Sequence, residues 1–152
     1  MNYEVLLSPR AERDLERFRG SVYLRLAHLA EQMIAMNREK QAEIEGFLRW
    51  LEREIGAKVD DLRNKTKVKA YFEDEFEALL EVLRQNRRRL QVDPDARVFR
   101  EAVEREFDAS RSKLAPLQAK IAATDRLIDL IVYRLYGLTE EEVAVVEGIA
   151  AP

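Results

Sequence analysis

The sequence predicts a mainly α fold: a long antiparallel helical hairpin, about 21–55 and 96–136, with a shorter helix at 74–90 and a C-terminal helix at 140–147. Seam residues, apolar except for Ser110 and Thr124, recur in steps of four and three along two long stretches, Val22, Leu26, Leu29, Met33, Met36 and Phe99, Val103, Phe107, Ser110, Leu114, Leu117, Ile121, Thr124, Ile128, Ile131, Leu135. That spacing lines one face of a helix. Of 152 residues, 36% are charged and 47% hydrophobic, with only five Gly and four Pro. This is the profile of long amphipathic helices with enough apolar side chains for a core. Helix punctuation stands where these stretches begin and end.

Tyr3 to Leu7 can form a short strand, and Ser8-Pro9 reads as a helix start, with Ser as cap and Pro at the first helical position. A helix from about Pro9 to Arg19 is expected to stop at Gly20, so residues 1–20 form a short N-terminal segment ahead of a helical domain at 21–152. The first long stripe resumes after an eight-residue gap at Ile44, Phe47 or Leu48, Leu51 and Ile55, and Gly56 closes it. The helix is about 35 residues and roughly 50 Å long at 1.5 Å per residue. Gly46 inside it costs about 1 kcal/mol relative to Ala.

Residues 57–72 lose the helical period and read as a turn plus an irregular or extended stretch, with Asp60 and Asp61 as turn residues. Asp74 is a plausible cap for a helix carried by Phe76, Leu79, Leu80 and Leu83 and running to about Leu90, and Pro94 breaks the chain. From Asp95 the second seam holds its rhythm over about five heptads. Pro116 lies within it and predicts a kink or break near Lys113, with the apolar register favouring a kinked continuous helix. Gly137 stops that helix near Tyr136, and Thr139 with Glu142 forms a capping box for the last one. In that box the hydroxyl accepts from the Glu142 N–H, and the carboxylate reaches back to the Thr139 N–H.

The net charge of −3 gives no global attraction to nucleic acid, so any DNA contact must come from a local patch. The absence of cysteine excludes disulfides and thiolate metal sites and fits a reducing cytoplasm. No run approaches the roughly 18 apolar residues of a membrane span, and the N-terminus lacks the pattern of a signal peptide. The expectation is a soluble cytoplasmic chain with no membrane contact and no cofactor of its own.

Two basic clusters are candidate nucleic-acid contacts. Arg63, Lys65, Lys67 and Lys69 alternate strictly; in an extended segment all four share one face at a repeat of roughly 6.6 Å, which suits a phosphate backbone. A solvated basic loop balanced by Glu73, Asp74 and Glu75 is the competing reading. Arg87, Arg88 and Arg89 form the second cluster, where a helix C-terminus also favours cations. Asn86 beside them can cap the helix or meet a base edge. The lone His28 reads as a packing or surface residue, and Trp50, Tyr133 and Tyr136 as core or interface aromatics.

The wording of the sequence adds a resemblance. Asn37-Arg-Glu-Lys40, Phe47-Leu-Arg-Trp-Leu-Glu52, Asn64-Lys-Thr-Lys-Val-Lys69, Asn86-Arg-Arg-Arg-Leu90, Ser112-Lys-Leu-Ala-Pro-Leu117 and Thr124 to Gly148 occur in that order. Together they resemble the C-terminal tail of type IIG restriction-modification enzymes and related large adenine-specific DNA methyltransferases, where a helical region follows or supports target recognition. The resemblance covers about residues 21–148 and is most specific at Ile128 to Glu142. It implies DNA, and a methyltransferase or target-recognition chain, as partners, with Ile128, Ile131, Tyr133, Leu135 and Tyr136 as docking residues.

The chemistry of that family is missing. No proline follows an asparagine, so the Asn-Pro-Pro-Tyr type loop that holds a flipped adenine is absent. The glycines stand alone rather than in a cofactor loop, and no lysine has an acid two residues before it. The expected role is a non-catalytic accessory domain of a restriction-modification or related phage-defence system. Tyr3 to Arg17 separately resembles the opening strand and helix of RelE/ParE-type toxins, which implies an alternative role in a toxin-antitoxin system. A third alternative is a dimerisation module using the seam at 99–135, with a second copy as partner.

Overall fold

The computed structural model describes residues 8–149. The strand expected at 3–7 lies outside them. The described residues form helices and turns with no strand: α1 (Pro9–Ile55), α2 (Lys65–Lys69), α3 (Phe76–Gln85), α4 (Arg97–Leu135) and α5 (Glu140–Val146), with 3-10 turns at Val59–Asp61, Tyr71–Glu73 and Arg87–Arg89. The mainly α expectation holds, with two long helices carrying the shorter ones.

The helix starts follow their sequence signals in part. Ser8 caps α1, its Oγ accepting from the Ala11 N–H at 3.2 Å. The expected stop at Gly20 does not occur, and α1 runs through it for 47 residues. One glycine costs a helix about 1 kcal/mol, too little to end it when the apolar stripe continues on both sides. α3 begins at Phe76 with Glu75 rather than Asp74 at the cap position, and ends at Gln85 rather than Leu90. Pro116 sits inside α4 without breaking it, since the helix is continuous to Leu135.

α4 ends in a paired hydrogen-bond closure around Gly137, whose φ is +64°. The Leu138 N–H donates to Tyr133 O and the Gly137 N–H to Arg134 O, each at 3.0 Å, the six-to-one and five-to-two pattern that satisfies terminal carbonyls. Thr139 Oγ1 then accepts from the Glu142 N–H at 3.2 Å. The other half of the expected box differs: the Thr139 hydroxyl donates to the Glu142 carboxylate at 3.1 Å, so that carboxylate holds the cap side chain rather than the backbone.

The chain divides into two compact units, Met36–Lys120 and Met1–Ala35 with Ile121–Pro152, here the middle and terminal units. No division falls at residue 20. The middle unit holds the core. Ile44, Phe47, Leu51 and Ile55 of α1 face Phe99, Val103, Phe107 and Leu114 of α4, and Val68, Tyr71, Leu79, Leu80 and Leu83 complete the cluster. Phe47 and Phe107 rings lie 6.4 Å apart and Lys113 Nζ stands 3.8 Å from the Glu43 carboxylate, so the two helices run antiparallel here. Phe47 also stacks on Tyr71 at 4.1 Å between centroids. The buried Tyr71 hydroxyl shares a 2.6 Å hydrogen bond with Ser110, which explains a serine on the seam. The gap in the first stripe is filled by Lys40, half-buried with its ammonium 5.2 Å from the Phe72 ring centroid.

In the terminal unit α1 and α4 are again antiparallel, since Phe18 and Val22 line a groove with Arg134 and Leu135, whereas the later Leu24 and His28 line one with the earlier Leu127 and Ile131. Every expected seam residue here, Val22, Leu26, Leu29, Met33, Ile121, Thr124, Ile128, Ile131 and Leu135, is only half-buried. No described residue of this unit is buried.

Candidate nucleic-acid interface

The middle unit brings the two basic clusters together. Gly56, at φ +66°, turns the chain out of α1, and Glu52 holds the first residues after the turn by accepting from the Val59 N–H at 3.1 Å. Val59, Leu62 and Val68 are buried. Their spacing forces residues 59–69 to coil so that all three point inward, through a 3-10 turn, a left-handed Asn64 at φ 58° and the five-residue α2. The extended strip expected for Arg63, Lys65, Lys67 and Lys69 is therefore overturned. In a helix Lys65 and Lys69 share a face and Lys67 leaves it. Lys69 reaches back to Asp60 at 2.6 Å, and this hydrogen-bonded ammonium holds the Asp60 carboxyl below its usual range.

Asn86 joins this loop to the end of α3. It is 2% exposed. Its Oδ1 accepts from the Arg63 N–H at 2.8 Å, and its Nδ2 donates to Arg63 O at 3.0 Å and Val82 O at 2.8 Å. Asn64 Nδ2 adds a 2.8 Å bond to Gln85 Oε1. Asn86 thus clamps the backbone and is not free for a base edge. Among the described residues no buried side-chain polar atom lacks a partner.

The arginine triplet lies in a 3-10 turn after α3, not in the last turn of an α-helix. Arg87 pairs with Asp95 and stands 3.7 Å from Asp93. Arg84 pairs with Asp95 at 2.8 Å. Arg89 Nη1 donates to Asp61 O at 2.8 Å, tying the triplet to the first turn of the loop. These are exposed contacts, each of small energetic weight, yet they orient three cations toward the protein itself.

The remaining cations differ. Arg63, Lys65, Lys67 and Arg88 are exposed, and among the described residues their side chains make no ion pair. Lys58 shares that state and went unnoticed in the sequence, although it is a cation at the mouth of the same loop. Lys58 and Lys65 give Asp60 only longer-range attraction. The cations of this loop cluster left without an ion pair are therefore Lys58, Arg63, Lys65, Lys67 and Arg88, while Lys69, Arg87 and Arg89 make contacts within the fold.

The residues expected to dock a partner lie in the terminal unit. Ile128, Ile131, Tyr133 and Leu135 are half-buried and Tyr136 is 75% exposed. Partial burial, followed by the nearby Glu147 and Asp129 charges, raises the Tyr133 phenol above its ordinary range. Glu147 also pairs with Arg126, which fastens the end of α5 to α4. Among the described residues no group of His, Asp or Glu is arranged to hold a metal, and no helix is long and apolar enough to cross a membrane.

Among the described residues, fold and surface define a mainly helical protein whose polar side chains act as clamps and surface charges. The chain belongs to the family described as a domain of unknown function, DUF8810, whose model matches residues 22–132. That match contains the whole middle unit and both basic clusters, and ends before the Gly137 turn and α5. No curated protein and no solved structure matches the chain.

Proposed function

We propose that this chain is a non-catalytic accessory domain of a DNA restriction-modification or related phage-defence system, which lays the loop cluster around Asn86 on the DNA backbone and associates with a methyltransferase or target-recognition chain. The observation that carries the DNA contact is the gathering of Arg63, Lys65, Lys67 and Arg88, from segments more than twenty residues apart in sequence, around one buried clamp. Charges fixed on a rigid loop reach phosphates without the ordering cost of a flexible tail. The resemblance of residues 21–148 to the helical tails of DNA-modifying enzymes supports the same reading.

The test is a duplex-binding titration at several salt concentrations. Four phosphate contacts give a slope of log K against log salt of about −3.6. Replacing Arg63, Lys65, Lys67 and Arg88 by Gln should flatten the slope and abolish binding at moderate salt. Absence of binding at low salt, or binding unchanged in the fourfold variant, would overturn the DNA contact. Co-purification with the catalytic chain tests the association. The toxin alternative gains no support, because residues 9–17 begin an α1 that continues unbroken to Ile55 and the described residues contain no strand.

A further inference from the structure

The exposed apolar side chains are unevenly distributed. Among the described residues, every large hydrophobic with substantial exposure except Val98 lies in the terminal unit, including Phe18 at 64%, Leu24 at 74%, Val146 at 63% and Ile149 at 76%. An accumulation of exposed apolar side chains in one unit points to an association site. Two parts of it carry opposite charge.

The first part is a groove of about 200 Å³ lined by Phe18, Val22, Arg25, Ile131, Arg134 and Leu135. Arg25 and Arg134 are exposed and make no ion pair among the described residues. Two unpaired guanidiniums beside an apolar cleft fit a side chain that is apolar and flanked by carboxylates. The second part is the outer face of α5. Its inner face is occupied, since Val143 lines a pocket with Leu127, Leu130 and Leu138 of the same unit and Glu147 pairs with Arg126. The face left over presents Val145, Val146 and, beyond them, Ile149, with Glu141 and Glu142 exposed on the preceding turn. Neither acid pairs with Arg25 or Arg134 of its own copy.

We infer that the occupant of the groove is α5 of a second copy of this chain. Val146 enters between Phe18 and Leu135, and Glu141 and Glu142 meet Arg25 and Arg134. In a two-fold pair the contact is made twice, because each copy offers both a groove and a knob. The inference is independent of the DNA reading and is tested without DNA.

The experiment is sedimentation equilibrium of the full chain, with circular dichroism to verify that each variant keeps its helices. The wild type should be a dimer whose dissociation constant rises with salt. Two charge-reversed variants should each be monomeric, one carrying Arg25→Glu with Arg134→Glu, the other Glu141→Arg with Glu142→Arg, with dissociation constants raised at least about tenfold. Mixed together they should form a heterodimer, because the unchanged knob meets the unchanged groove and the reversed knob meets the reversed groove. Val146→Asp, at an exposed position outside the core, should also give a monomer. A monomeric wild type at high concentration overturns the inference, and an acidic helix of another protein then becomes the candidate occupant. A dimer that survives both reversals, or a mixture that stays monomeric, overturns it equally.

Discussion

The side-chain amide of Asn86 grips the peptide of Arg63 from both directions, accepting from its N–H at 2.8 Å and donating to its carbonyl at 3.0 Å. One buried side chain therefore replaces the pairing that a strand would have given that residue.

Asn86→Ala should lower stability by about 2–4 kcal/mol, because part-buried backbone groups lose their partners. Asn86→Asp restores the acceptor but no donor, and should remain destabilised. Thermal unfolding gives the magnitude. Binding to duplex DNA should also weaken at temperatures where the variant is still folded, as Arg63 and Lys65 lose their fixed position beside Arg88.

Single substitutions should sort the cations into two kinds. Lys67→Ala and Arg88→Ala should weaken DNA binding and reduce the salt slope by about 1 each while leaving the melting temperature unchanged. Arg87→Ala breaks its pairs with Asp95 and Asp93 and should lower stability by less than about 1 kcal/mol, with little effect on the slope. Equal effects of Arg87→Ala and Arg88→Ala on the slope would contradict the division.

Tyr71 gives a pH signature on the alkaline side. Burial pushes its phenol up to about 12, from 10 for the free group, with the hydrogen bond to Ser110 acting in the opposite direction. The folded state holds the proton more tightly than the unfolded chain. The contribution is therefore complete below pH 10 and is lost as pH rises from 10 through about 12. Its size is about 3 kcal/mol. Denaturant titrations across that range should show the loss, and Tyr71→Phe should show less of it, after a pH-independent cost of about 1–2 kcal/mol for the unpaired Ser110 hydroxyl.

The glycines should separate by backbone conformation. Gly20→Ala and Gly46→Ala should each raise stability by about 1 kcal/mol, because a new Cβ at either meets nothing within 4 Å. Gly56→Ala should lower it by about 1–2 kcal/mol for its left-handed backbone and more for the clash, since the new Cβ would stand 2.7 Å from the Gln91 side chain. Gln91 cannot easily yield, as its N–H donates to Ile55 O at 2.8 Å.

Helical period was legible in the sequence because it repeats. Each seam residue from Val22 to Ile55 and from Phe99 to Leu135 lies on the less exposed face of its helix, and Gly56 and Gly137 end helices at the positions they mark. Residues 57–72 were not legible, because five residues of helix and two 3-10 turns hold too few turns to show a period. The alternation of Arg63 with Lys65, Lys67 and Lys69 was real in sequence and absent in space, since burial of Leu62 and Val68 sets the coiling. Asn86 was legible as a cap, which it is at the end of α3, but its second role was not. Its partner is a backbone 23 residues away, and a backbone group leaves no residue-specific trace. The candidate surface was visible as two clusters, but which cations stay unpaired depended on Asp60, Asp93 and Asp95, whose reach only the fold reveals.

The absence of any buried residue among the described part of the terminal unit implies two levels of protection against hydrogen exchange. Amides of the middle-unit helices should exchange only with global unfolding, whereas those of residues 8–35 and 121–149 should exchange through smaller openings. A partner that covers the terminal unit would then slow its exchange as well as hide its surface. Part of the affinity would appear as added order in those helices, and the binding constant would fall as temperature loosens them.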